Sequence, residues 1–408
     1  MVVSSVKSKV VVHKYGGTTL KDPRQLRCCG ENICKAYTSG QRPVVIVSAM
    51  GRNGDPYATD TFLGLAYAIS SSPAPRELDL LMACGELVSA TLLTVQLQEL
   101  GCQAMALTGS QVGIITDDNH GNGEIKAVEI KRIRQVLESG IIPVICGFQG
   151  VSAAGELTTL GRGGSDITAV AVAAALKLDS ATIYTDVPAI KTADPKLVKD
   201  AQPIFQLHYQ EILEMAIEGA RVIHPRAVER AMADDIRIVI TSLANSDTQP
   251  TEIGPRHSTG NGEGVIRAIT HITEVTQYKF SLEPAKMAVL LDKIAAADID
   301  LDLINLGEIG HSLTVASKDA LAMGKILEAE KVSALHREDC SKISLIGLGI
   351  RGISRLINRI YKPLMERNIP VYHTSDSYTQ IALLVPQEKL GEAVNHLHEV
   401  FFGEGSSS

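Results

Sequence analysis

Three groups of residues in this chain are of types that handle phosphate and carboxylate groups. The run Val10-Val11-Val12-His13 leads directly into Lys14-Tyr15-Gly16-Gly17-Thr18-Thr19. A lysine there supplies a compact positive charge, and glycines let main-chain N–H groups approach an anion closely. Thr158-Thr159-Leu160-Gly161-Arg162-Gly163-Gly164-Ser165-Asp166 opens an Ala-rich stretch. Arg162 can grip a carboxylate bidentately, and Asp166 would fall in the first turn of the helix it opens. Ser165 or Asp166 could act only as a helix cap, but that reading leaves Arg162 and its neighbouring glycines without a task. Ala83-Cys84-Gly85-Glu86 places a carboxylate in an otherwise apolar helix. Such a buried acid needs a partner, in the fold or in a ligand.

Three further polar segments come after apolar runs. Val44–Val47 ends in Ser48-Ala49-Met50-Gly51 and then the loop Arg52–Asp60. Thr185–Pro195 comes after Ala181–Tyr184, and Gly219–Arg226 offers more cations. His224, ahead of Pro225, reads as a turn residue or the start of a helix rather than a catalyst. Gly347-Leu348-Gly349-Ile350-Arg351-Gly352 matches the dinucleotide-binding glycine pattern, but only 56 residues remain beyond it, too few for that domain. It reads as a strand-to-helix turn.

The elements that must position these residues alternate. From Val10 to about Ser242 the order is strand, glycine-rich turn and helix, repeated, which predicts an α/β fold with a mainly parallel sheet between helices. Such sheets bind ligands at the carboxyl ends of their strands. Residues 244–264 turn to Asn, Ser, Asp, Thr, Pro and Gly and read as a linker between a domain at 1–243 and a C-terminal region. In that region a weak repeat, offset by about 70 residues, matches Ile299–Asn305 with Ile369–Ser375. It predicts two small βαββαβ units at 265–335 and 336–402, with a disordered tail at 403–408.

Composition narrows the function. With 45% apolar and 21% charged residues the chain is ordinary for a soluble globular protein. A formal net charge of −7, 4% aromatic residues and no Trp argue against nucleic-acid binding. Seven cysteines with no CxxC pair read as reduced thiols rather than a disulfide or metal framework. Residues 1–9 show no signal peptide, and Ile167–Leu176, taken as the longest apolar helix, is too short to cross a bilayer. A cytoplasmic protein without membrane partners is expected.

Taken together and in order, Lys14–Thr19, Ser48–Gly51, Gly85-Glu86, Leu160–Asp166, Thr185–Pro195 and Gly219–Arg226 resemble aspartate kinase of the amino-acid kinase family, over essentially the whole chain. The C-terminal repeats look like its tandem ACT domains. The resemblance implies ATP-dependent phosphorylation of the L-aspartate side-chain carboxylate, the first step toward lysine, threonine and methionine. A carboxylate is already a nucleophile, so positioning and charge neutralisation are the chemistry required.

Residue by residue, the resemblance implies catalytic roles for Lys14, Asp166 and Arg221. Lys14 would bind the transferring phosphoryl group beside the Gly16 and Gly17 amides, and Asp166 would organise the cations around it. Arg162 would clamp a substrate carboxylate, with Gly163, Gly164 and Ser165 beside it. Ser48, Thr59 and Glu86 would hold the rest of aspartate, Glu86 by its ammonium. Tyr15, Thr185, Asp186, Lys191, Asp194, Lys196, Arg221 and Val222 would complete the ATP pocket. Mg²⁺ would accompany ATP, with no dedicated protein cage. An amino-acid effector (lysine, threonine or diaminopimelate) would bind the ACT units near Met287, Asn305, Ile309, Ile350, Ile353 and Ser375, and these units would pair in a homo-oligomer.

The chain departs from the family pattern at four places. Lys191 stands where an aromatic residue is usual, and Arg221 where a lysine is usual. Ile240-Thr241-Ser242 replaces the usual Arg-Ser-Ser/Thr, and Leu282-Glu283-Pro284-Ala285 replaces an Asp-x-Pro-Gly turn. A weakly catalytic, amino-acid-sensing binding protein on the same fold is the alternative that Lys191 and Arg221 would suit. Intact Lys14, Arg162 and Asp166 favour the enzyme.

Overall fold

A computed structural model of the chain describes residues 9–220, 222–244, 248–255, 266–307 and 310–403. The chain forms two compact units. One comprises Met1–Ile190, Ile204–Leu213 and Arg221–His257, and the other Lys191–Pro203, Glu214–Ala220 and Ser258–Ser408.

The first unit is built on an eight-stranded sheet. Its strands run, side by side, Gln206–His208, Thr251–Gly254, Arg237–Thr241, Ser180–Tyr184, Val10–Tyr15, Arg42–Val47, Ile142–Cys146 and Ala104–Leu107. The last six are mutually parallel, as the alternating pattern requires. Val44, Val45, Ile46 and Val47 are fully buried, the signature of a strand covered on both faces. Thr251–Gly254 lies antiparallel to Arg237–Thr241. The segment expected to be linker therefore carries a strand of the sheet.

Helix Pro23–Thr38 starts at Asp22, whose carboxylate accepts the Gln25 N–H at 2.9 Å, with Pro23 in the first turn. Helix Pro75–Glu99 is the long apolar one. By length and composition it could cross a membrane, which corrects the expectation that Ile167–Leu176 is the longest apolar helix. It buries half of its apolar window inside the fold, and Leu93 and Leu97 sit in the core with Ile33 and Val45. A second, four-stranded sheet, unforeseen from the sequence, orders Ile125–Val128, Ile114–Thr116, Gln149–Ser152 and Leu157–Thr159. Its last strand feeds the Leu160–Asp166 turn. Gln206–His208 is a strand as well, and helix Tyr209–Ile217 follows it directly.

In the second unit the two repeats share one antiparallel sheet of six strands, ordered Asp302–Gly307, Gly310–Ala316, Ala268–Phe280, Ala334–Ile346, Gln380–Pro386 and His373–Asp376. Ala268–Phe280 and Ala334–Ile346 are each 13 residues long and pair along their whole length, with register shifts near Val275. Ile269 therefore packs with Ile343, Leu345 and Ile381 in the core of the second repeat, and Tyr278 and Phe280 pack with Leu290 and Leu313 in that of the first. The boundary expected at 335/336 runs through a continuous strand. Ala193, Val198 and Ala201 join the core of the second repeat too, so the stretch Lys191–Pro203 departs from the expected continuous 1–243 domain.

Candidate active site

Sheet register brings the first group of residues together. Tyr15 pairs with Val47 on one side and Tyr184 on the other, Val47 pairs with Cys146, and Thr241 pairs with Tyr184. The strand ends are level, so Gly16, Ser48, Gly147, Thr185 and Ser242 follow one another along the carboxyl edge of the sheet. Strand Val10–Tyr15 lies at the middle, between the neighbours that lead the chain in opposite directions. This is where open α/β sheets hold ligands.

Lys14 and Asp166 meet there. Lys14 Nζ lies 2.6 Å from Asp166 Oδ1, and both side chains are about nine-tenths buried. Asp166 sits in the first turn of helix Gly164–Ala175, where the helix dipole favours its charge. That helix begins at Gly163, whose φ of 74° lies in the left-handed region, and a Cβ there would fall 2.3 Å from His224 Cβ. Glycine is required on both counts. His224 caps helix Pro225–Ala233 by accepting the Arg226 N–H, as its place before a proline suggested.

The Lys14–Thr19 turn is pressed against the Ser48–Gly51 turn. A Cβ on Gly17 would lie 2.5 Å from the Ala49 carbonyl oxygen and 2.6 Å from that of Gly51. The Gly51 N–H donates to the Gly17 carbonyl at 3.0 Å. The Gly16 N–H donates to the Tyr184 carbonyl at 3.1 Å. It is therefore engaged in holding the strand ends, and Gly17 is the first residue of helix Gly17–Leu20. The Tyr15 ring is fully buried, stacked on Tyr184 at 4.7 Å, with its hydroxyl donating to Asn32 Oδ1 at 2.7 Å, so only its backbone reaches the sheet edge.

Glu86 is 2% exposed in helix Pro75–Glu99, and its Oε1 accepts the Ala49 N–H at 2.8 Å. Its Oε2 has no partner among the described residues. Burial pushes its pKa up to about 8, against smaller downward pulls from the Ala49 N–H, its own backbone N–H and the Lys14 charge. A buried carboxylate with one oxygen unpaired, bonded to the residue after Ser48, is suited to receive a cation. Thr59, half-buried, opens helix Thr59–Tyr67 at the end of the loop beyond Gly51. Ser48 is half-buried and Ser165 buried. Arg162 is exposed and makes no ion pair among the described residues.

Among the residues expected at the nucleotide, Thr185 N–H donates to the Thr241 carbonyl at 2.9 Å, and Thr185 Oγ1 to Asp186 Oδ1 at 3.1 Å. Asp186 also pairs with Arg52 at 2.6 Å, a residue the sequence left inside a polar loop. Lys191, Asp194 and Lys196 fall in the second unit, where Asp194 Oδ1 accepts the Lys196 N–H at 2.8 Å. Val222 is half-buried, and Arg221 lies outside the described residues.

Of the effector candidates, Met287 and Ile350 are core side chains, 6% and 0% exposed. Their side chains serve packing, which leaves only the backbone of each to meet a ligand. Ile353 packs partly against the same core as Ile350. Asn305 and Ser375 are exposed on Asp302–Gly307 and His373–Asp376, the two edge strands of the sheet. Ser375 also lines a cavity of about 80 Å³ with Thr374, Asp376 and Tyr361. Ile309 lies outside the described residues. The Gly347–Gly352 run is a turn between strand and helix, with Gly347 and Gly349 N–H groups donating to Thr379 and Tyr378 carbonyls.

The chain is similar to known proteins over nearly its whole length. The profile described as "Amino acid kinase family" matches residues 9–242, and that described as "ACT domain" matches residues 335–399. Aspartokinase 1 of Bacillus subtilis is 39% identical over 400 residues, covering 96% of this chain and 99% of that one. E. coli aspartokinase III solved with lysine and aspartate is 25% identical, with a TM-score of 0.77 over 97% of this chain and 100% of its own. The same enzyme solved with aspartate and ADP has the same fold, at 24% identity and a TM-score of 0.76, over 97% and 100% of the two chains. The chain belongs to the amino acid kinase family and, within it, to the aspartokinases.

Proposed function

We propose that the chain transfers the γ-phosphoryl group of ATP to the side-chain carboxylate of L-aspartate, giving 4-phospho-L-aspartate, with the work divided among its site residues. The single observation that carries this reading is the Lys14–Asp166 pair at the carboxyl edge of a parallel sheet, 2.6 Å apart and largely screened from water. Lys14 neutralises charge on the transferring group, and Asp166 holds the lysine in place. Glu86, through its unpaired oxygen, takes the substrate ammonium. Arg162 takes a substrate carboxylate. Ser48, Thr59 and Ser165 bind the remainder. Thr185, Asp186 and Val222 bind the nucleotide. The attacking carboxylate needs no general base.

ATP arrives with Mg²⁺, which supplies further charge neutralisation. Such an ion keeps phosphate and water ligands and takes one or two carboxylates, a demand that Asp166 fits and that calls for no larger ligand cluster. Among the described residues no cluster of three ligating side chains occurs. The second unit binds an amino-acid effector and joins chains through the exposed edge strands Asp302–Gly307 and His373–Asp376. Reduced thiols and the use of ATP support a cytoplasmic protein.

A hydroxamate assay with aspartate and MgATP tests the reaction. Product that is lost in Lys14→Ala and not formed with glutamate or acetylglutamate supports it. Absence of product from the folded wild-type chain refutes it. Titrating lysine, threonine and diaminopimelate, singly and together, tests regulation, and no response to any of them refutes the effector reading.

A further inference from the structure

Asp79 lies outside the residues proposed for phosphoryl transfer, yet three residues contact its carboxylate through hydrogen-bonding groups. It is fully buried on helix Pro75–Glu99, two turns before Glu86. Thr159 Oγ1 donates to its Oδ1. The Gly121 N–H reaches both oxygens, at 3.0 and 3.1 Å, and His120 Nδ1 lies 2.7 Å from Oδ2.

Those partners belong to the turn that leads into Arg162 and to the hairpin loop beside it. The Gly123 N–H donates to the Thr159 carbonyl at 2.8 Å. From the opposite side, the Arg226 guanidinium donates to the Leu160 carbonyl, to Asn122 Oδ1 and to the Gly123 carbonyl. The backbone just before Arg162 is thus held at consecutive residues, Thr159 and Leu160, while the arginine side chain itself is exposed.

We propose that Asp79 is a positioning residue, which through Thr159 and the 120–123 loop lashes the Arg162 turn to the helix that carries Glu86. The inference rests on the reading that Glu86 and Arg162 hold the amino-acid substrate. With both anchors fixed to one helix, aspartate is presented at a set reach from Lys14. Loosening the lashing moves Arg162 relative to Glu86 and weakens aspartate binding without touching the nucleotide side.

The test is a comparison of Asp79→Asn, Thr159→Val and Thr159→Ser, each checked for folding by circular dichroism and thermal melting. In Asp79→Asn and Thr159→Val the aspartate KM rises about tenfold or more while the ATP KM stays within about twofold. Thr159→Ser, which keeps the hydroxyl, stays near wild type. A folded Thr159→Val with an unchanged aspartate KM, or with both KM values rising in proportion, overturns the proposal. Should Asp79→Asn fail to fold, the two Thr159 variants decide alone. Arg162→Lys separates the two levels: if it leaves the aspartate KM unmoved, the substrate reading fails, whereas a strong effect there with a silent Thr159→Val sinks only the lashing.

Discussion

Glu218 closes a buried ion pair with Lys342, whose Nζ lies 2.9 Å from Oε1 and 2.8 Å from Oε2. The two side chains are 5% and 3% exposed. Ser344 Oγ donates to Glu218 Oε2 at 2.7 Å, and Lys342 also pairs with Asp302 on the edge strand. Glu218 belongs to the short stretch Glu214–Ala220, which the chain contributes to the second unit between Leu213 and Arg221. Burial alone pulls the Lys342 pKa down, but Glu218 and Asp302 outweigh it and the net shift is upward. The lysine is therefore charged in the fold, and removing it strands a buried carboxylate.

Lys342→Met is expected to destabilise the protein by about 3–5 kcal/mol, the usual cost of breaking a buried pair from one side. Lys342→Met with Glu218→Leu should recover part of the loss, because no lone charge remains. Urea unfolding of the single and double variants measures both. A double-variant loss equal to the sum of the Lys342→Met and Glu218→Leu losses would show that the pair is not coupled.

Lys14→Ala is expected to lower kcat by about 10²–10³-fold, the scale of losing one charge-stabilising donor. Asp166→Asn should cost less, since Lys14 keeps its charge but loses its orientation. Steady-state hydroxamate rates at saturating aspartate and MgATP decide it. A Lys14→Ala variant that retains wild-type kcat excludes the lysine from phosphoryl transfer.

Glu86 makes aspartate binding depend on pH. Its carboxyl is raised from 4.5 to about 8 by burial, so the ligand-free fold holds a proton there that the unfolded chain releases. Stability is expected to fall as pH climbs between those values, because the unfolded state binds fewer protons. An ammonium docking on Glu86 needs the ionised form. Aspartate binding below pH 8 should thus release a proton, and the aspartate KM should decrease as pH rises toward 8. Calorimetry in buffers of different ionisation enthalpy reads the proton directly. Glu86→Gln should abolish the buffer dependence, and the idea fails if that variant behaves as wild type.

Gly163→Ala is expected to cost about 1–3 kcal/mol, combining a left-handed backbone with a Cβ driven into His224. Adding His224→Gly removes both the clashing Cβ and the ring but not the backbone strain, so the double variant should regain only part of the loss. Thermal melts of the three variants check this. Full recovery would assign the whole effect to the clash, and no recovery would assign it to the backbone.

Much of the architecture is legible in the residues themselves. Fully buried strands such as Val44–Val47 announce themselves as unbroken β-branched runs, and Gly-rich turns mark where they end. Lys14, Glu86, Arg162 and Asp166 stand out because charge and glycine occur together in apolar surroundings, which is expensive without a purpose. Local chemistry of this kind is set by residue type and immediate neighbours, so the primary structure suffices to read it. The strand-to-helix turn at Gly347–Gly352 and the place of His224 at the start of a helix are legible for the same reason.

Partners distant along the chain settle the rest. Nothing local to Tyr15 tells that its ring is buried, and only the Tyr184 ring stacked on it shows this. The Gly16 N–H is likewise committed by the Tyr184 carbonyl that accepts it. Met287 and Ile350 sit in helical or loop-like surroundings in the sequence, and only the packed core shows them inside. Strand Thr251–Gly254 is short and polar-flanked, so nothing local separates it from linker. The same holds for Asp79, Arg226 and Lys342, whose side chains find partners 40 to 124 residues away. A side chain's chemistry is written at its own position, but whether that chemistry faces a substrate or another part of the protein is set by long-range packing.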